Sequence, residues 1–133
     1  MYIKEEEENL CYLKENKFDK SFLKLIKKLK GKRIVIYGAG TLFMLIKKCY
    51  DISELNIVGV ADKKFETSKD VLFENEYKIF KLNEITKNDV DCILVSVKFY
   101  VPVLEELYEK FKISGIKVLP FVKKSFWTLL KEL

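Results

Sequence analysis

Histidine is absent from the 133 residues. That removes Ser-His-Asp and Cys-His nucleophilic pairs, imidazole bases and every histidine-containing metal site. Cysteine is scarce: Cys11, Cys49 and Cys92 are far apart, odd in number and form no CxxC, which argues against a zinc knuckle or a disulfide framework. They read as small thiols, buried or half-buried, in a reducing cytoplasm. Arginine occurs once, at Arg33, among 25 basic residues. The net charge of +5 therefore comes almost entirely from lysine and not from the side chain best suited to bidentate phosphate and guanine contacts, and no nucleic-acid partner is expected. No apolar run approaches the roughly 18–20 residues of a membrane span. The opening MYIKEEEENL is acidic and lacks an apolar signal core, so a cytoplasmic location without a membrane span is expected.

What is present fits one globular domain, with apolar residues at 49% and charged residues at 34%. Residues 1–30 read as helical. Glu5 to Glu8 suit a first helical turn by their sign, and Phe18, Phe22, Leu25, Ile26 and Leu29 recur at three- and four-residue spacing. Gly31 is placed to end that helix. Residues 20–33 hold seven basic side chains and no acidic one, the pattern of a solvated helix face or of a surface for an anionic partner. The apolar stripe must pack on the following domain, on a second copy or on another neighbour.

From Lys32 the pattern alternates strand and helix. Arg33 to Tyr37 and Asn56 to Ala61 read as buried strands, with Leu42, Phe43, Leu45, Ile46 and Cys49 marking one face of the helix between them. Residues 63–76 show no trustworthy period. A short strand near Tyr77 to Phe80, a turn of helix near Leu82 to Thr86, a strand from Cys92 to Val97, a helix with Val103, Leu104, Leu107, Tyr108 and Phe111 as its stripe, and a last strand from Ile116 to Leu119 follow. A terminal helix carries Phe121, Val122, Phe126 and Trp127. This order predicts an α/β, three-layer, doubly wound fold with about five parallel strands in the order 3-2-1-4-5 and extra terminal helices. Its parts are a helical extension (1–31), a nucleotide-binding domain (32–121) and a C-terminal helix (122–133).

One constellation carries chemistry. Gly38-Ala39-Gly40 follows the first strand and opens a helix, where glycine permits a tight bend and a close approach to pyrophosphate at the helix's positive end. Asp62 ends the second strand, 22 residues beyond Gly40, where a carboxylate would accept from a ribose diol. The expected ligand-binding residues are Gly38, Ala39, Gly40, Thr41, Leu42, Asp62, Lys63 and Ser96, with Lys98, Phe99 and Tyr100 at the same strand edge. Asp62 favours NAD over NADP, while Lys63 and Lys64 offset its repulsion of a 2′-phosphate. The third fingerprint position is Phe43, where glycine or alanine is usual. That ring must push the helix outward or turn into a neighbouring layer. Tyr77/Lys81 and Tyr108/Lys112 mimic the Tyr/Lys pair of short-chain dehydrogenases. About one such pair is expected by chance, and neither falls where that family's catalytic helix would.

KRIVIYGAG, IVGVADKK and a KIFKLNEI segment before DCILVSV resemble the small Rossmann-like domains of bacterial nucleotide-sugar and surface-polysaccharide enzymes. Those include the domains that precede sugar acetyltransferases and the epimerases or dehydratases of capsule biosynthesis, and they are related to CoA-binding-type domains. The resemblance covers about residues 32–121 and carries over at Gly38, Gly40 and Asp62. It implies a domain that binds NAD or NADP, a nucleotide-sugar or CoA, with catalysis in a separate or fused domain reached through the terminal helices. Half a dehydrogenase's length supplies a cofactor floor and no substrate domain, so no catalytic residue is assigned. The other readings are an accessory dimerisation module with a vestigial nucleotide turn, and a methyl-transfer domain using S-adenosylmethionine.

Overall fold

The apolar run centred on Ile34, Val35 and Ile36 becomes the inner strand of a parallel sheet. A computed structural model of the chain describes residues 2–125, with side chains from Lys4 onward. In chain order the strands are β1 (Arg33–Tyr37), β2 (Asn56–Ala61), β3 (Leu72–Phe73), β4 (Tyr77–Lys78), β5 (Cys92–Val95) and β6 (Lys117–Pro120). The α-helices are α1 (Tyr2–Glu15), α2 (Phe18–Lys28), α3 (Thr41–Cys49) and α4 (Val101–Phe111), and Lys63–Phe65 and Leu82–Glu84 each form a turn of 3-10 helix. β2, β1, β5 and β6 form one four-stranded parallel sheet in that spatial order.

Both faces of the sheet are covered, which is why its strands read as continuous apolar runs. Ile34, Ile36, Cys92 and Leu94 pack with Leu13 of α1, Phe18 and Phe22 of α2, and Leu42, Phe43 and Ile46 of α3. Val35, Ile93 and Val95 pack on the other side with Leu107 and Phe111 of α4. The result is a three-layer α/β arrangement compatible with a Rossmann-like layout.

The amphipathic stripe of the first 30 residues packs on this same core. Phe18, Phe22, Tyr50 and Phe121 form one aromatic cluster, with Phe18 and Tyr50 edge-on at 4.9 Å between ring centres. The six lysines between residues 20 and 32 are exposed. The helical region divides in two at Lys17, which adopts a left-handed φ of 51°. Asn16, buried beside it, donates to the Tyr12 carbonyl and accepts from the Ser125 amide, both at 2.8 Å.

The sheet corrects the expected five strands in the order 3-2-1-4-5. Tyr77 and Lys78 pair antiparallel with Leu72 and Phe73, while Ile79 makes one isolated parallel bridge to Val60. The segment is divided between two partners and too short to extend the main sheet. Gly59 makes that crossing feasible, since a Cβ there would collide with the Phe80 ring and the Lys78 carbonyl. Val58 is skipped in the β1–β2 register beside it, a local bulge.

Smaller corrections follow from burial. Cys92 is buried, as expected, whereas Cys11 and Cys49 are exposed and not buried or half-buried. Tyr108 projects from α4 to solvent at 61% exposure, outside the helix's apolar stripe. Of the expected C-terminal helix, residues 122–125 are irregular, and residues 126–133 lie outside the described residues. Among the described residues no helix is long and apolar enough to cross a membrane.

Candidate functional site at the Gly38 turn

The turn after β1 is fixed from below. Gly38 has φ +106°, and a Cβ added there would stand 2.9 Å from the Ser96 carbonyl oxygen. Glycine is therefore required twice, for backbone conformation and for the close approach of β5's end. Gly40 differs. Its φ of −116° suits any residue, and a Cβ would meet nothing within 4 Å. It caps α3 with an open face, leaving the helix's first amides without intrahelical partners.

The loops after β1 and β2 are tied to one another. Asp62 Oδ2 accepts from the Ala39 amide at 2.8 Å, and its Oδ1 accepts from the Lys64 amide at 3.1 Å. Lys64 Nζ returns to donate to the Ala39 carbonyl at 2.7 Å. Both backbone polar groups of Ala39 are thus held by the Asp62–Lys64 segment. Burial first, and then the Asp62, Glu106 and Glu66 carboxylates, push the Tyr37 phenol above its ordinary value, so it stays protonated at the foot of this turn.

A cleft of about 530 Å³ opens over the turn, bordered by Ala39, Gly40, Thr41 and Met44 at the start of α3. Lys64 and Phe73 form one wall, and Glu5, Glu6 and Asn9 of α1 form the other. Its size lies in the range of small-molecule sites. Lys64 Nζ lies 5.5 Å from the centre of the Phe73 ring. Three carboxylates, Glu5, Glu6 and Glu74, face two ammonium groups, Lys48 and Lys64.

Of the residues expected at the site, Ala39, Gly40 and Thr41 line the cleft. Gly38 and Leu42 are buried, with Leu42 in the core beneath. Asp62 is engaged with Ala39, and Lys63 is exposed at the start of a short 3-10 helix (Lys63–Phe65) and does not border the cleft. Ser96 is 3% exposed, and its hydroxyl has no hydrogen-bond partner among the described residues. Lys98, Phe99 and Tyr100 do not join the cleft: the Lys98 carbonyl accepts from the Tyr12 hydroxyl at 3.2 Å, Phe99 is 72% exposed, and the buried Tyr100 hydroxyl accepts from the Lys124 amide at 2.8 Å. Phe43 turns its ring inward, fully buried and edge-on to Tyr77 at 5.7 Å between ring centres.

Sequence reasoning missed the α1 and hairpin walls. The acidic run at Glu5 to Glu8 reads as a helix-dipole feature, and nothing in residues 1–30 signals that Asn9 bonds to Thr41. The lysine that meets the turn is Lys64, whose only sequence signal is its position two residues after Asp62.

The chain matches the C2185-like, N-terminal family model over residues 30–119, two thirds of its length, and belongs to that family. The matched span begins after α2 and contains the Gly38 turn, Asp62 and Lys64. No curated protein and no solved structure matches the chain.

Proposed function

We propose that this member of the C2185-like, N-terminal family is a nucleotide-binding domain, with NAD(P) or a nucleotide-sugar held at the Gly38–Gly40 turn and CoA as a related ligand. Its setting on this reading is nucleotide-sugar or surface-polysaccharide biosynthesis in the cytoplasm, with chemistry supplied by another domain. The observation that carries it is the cleft over the open amino end of α3, at the carboxyl edge of the sheet's inner strand. Ligands of doubly wound sheets bind at that edge, where the strand order reverses between β1 and β5. The free α3 amides would meet phosphate, Lys64 and Lys48 would supply counter-charge, and Phe73 with Met44 would offer apolar surface to a base or sugar.

Asp62 enters this reading by a different route from the ribose contact its position suggests. Its carboxylate orients the turn through Ala39, which makes it a positioning residue. The accessory-module reading is favoured by the same bond, because a turn braced by Asp62 and Lys64 is stable without ligand.

Thermal unfolding against NAD, NADP, CoA, UDP-sugars and S-adenosylmethionine separates the two. A ligand at about 100 times its Kd adds roughly 2.7 kcal/mol, a shift of several degrees for a domain of this size. A shift with one nucleotide that disappears in Gly40→Val supports the site. No shift with any of them overturns it in favour of the accessory module, and a shift with S-adenosylmethionine alone reassigns the ligand.

A further inference from the structure

Nucleotide binding at the turn leaves the first turns of α1 without a role, yet they reach the groups a phosphate would use. Thr41 donates its hydroxyl proton to Glu5 Oε1 at 2.7 Å and accepts from Asn9 Nδ2 at 3.3 Å. Lys48 Nζ lies 3.1 Å from Glu6 Oε1. Asn9 is 2% exposed, so α1 is seated on α3. Glu5 is therefore an anion placed at the positive end of α3, inside the border of the cleft.

We infer that the first turns of α1 act as a lid on the nucleotide site, with the Glu5 carboxylate as an internal stand-in for a ligand phosphate. The inference rests on the nucleotide reading above. A phosphate entering at Thr41 takes over the hydroxyl and the α3 amides and expels Glu5. Lys48 then exchanges Glu6 for a phosphate oxygen. Glu5 and an anionic ligand exclude one another, so the affinity measured for the intact chain is lower than the turn alone would give. A purely structural tie between α1 and α3 would instead leave ligand affinity indifferent to the charge on Glu5.

The test uses the full chain, with ADP and UDP as probes because they carry the diphosphates of the candidate ligands. Titration calorimetry compares the parent with Glu5→Gln, which keeps an acceptor for Thr41 and removes the charge. Glu8→Gln, exposed and outside the cleft, serves as control. Glu5→Gln is expected to bind about two- to fivefold more tightly at low salt, the size of a charge effect at a helix terminus, with the gain shrinking at high salt. Amide exchange in α1 of the parent chain is expected to quicken when ADP binds, a readout that does not depend on any variant. Equal affinity in parent and Glu5→Gln, or α1 exchange slowed by ADP, overturns the lid and leaves the nucleotide reading standing. Absence of binding by both probes to both proteins overturns the two together.

Discussion

The Asp62 carboxylate accepts the Ala39 amide proton at 2.8 Å across 23 residues of sequence, joining the ends of β1 and β2. A side chain whose position suggests ligand contact therefore also holds the backbone that would receive the ligand. Asp62→Ala should lower stability by about 1–2 kcal/mol, the range for a charge-assisted hydrogen bond that is partly solvated. Asp62→Asn should recover part of that loss. Urea denaturation of the three proteins measures it, and equal midpoints would show that the tie contributes nothing.

The two glycines of the turn should respond to alanine to different degrees. Gly38→Ala forces a Cβ against the Ser96 carbonyl at an unfavourable φ, and should cost about 2 kcal/mol or more. Gly40→Ala meets open space and should cost less than about 1 kcal/mol. On the nucleotide reading Gly40→Val, whose Cβ also has nothing within 4 Å, loses binding while the fold is retained. Calorimetry with and without ligand distinguishes the fold effect from the binding effect.

Phe43 shows how far the turn was legible in the sequence. The strand–GAG–helix pattern locates β1, α3 and β2, and β-branched runs locate β5. The departure at Phe43 leaves two outcomes open, because its resolution depends on Tyr77, a partner 34 residues away. A strand at β4 is expected, but β3 and the turn that joins it to β4 escape detection for a local reason: Glu74 and Asn75 take φ of 52° and 54°, positions where a turn signal would normally be glycine. The break at Lys17 is hidden in the same way. The α1 wall of the cleft depends on long-range contacts such as Asn9 with Thr41, which no local pattern encodes. Phe43→Ala should cost about 3–5 kcal/mol by leaving a cavity between α3 and β4, measured by urea denaturation.

Asp91 sits at the opposite end of the sheet and should govern the acid limb of stability. Hydrogen bonds from the Arg33 guanidinium and amide, and then from Lys87, hold its carboxyl well below the usual carboxylate range. A folded-state value below the unfolded one contributes stability that is fully present above the unfolded pKa and lost as pH falls toward the folded one. The parent should therefore be more stable than Asp91→Asn at pH 7, with the gap closing below about pH 4. A gap that is constant from pH 7 to pH 2 would contradict the linkage.

The three thiols should react in two classes. Cys11 and Cys49 are exposed, whereas Cys92 is 1% exposed and burial pushes its thiol up to about 11. At pH 8 a thiol reagent should modify two groups rapidly and the third at the rate of unfolding. Three equal fast rates in the native protein would place Cys92 outside the core.

The most direct test of the nucleotide site is amide chemical-shift mapping of isotope-labelled protein during titration with ADP and UDP. A nucleotide seated at the turn predicts saturable shifts greatest at Ala39, Gly40, Thr41, Leu42 and Lys64. Shifts confined to residues away from the turn, or none at millimolar ligand, would contradict it.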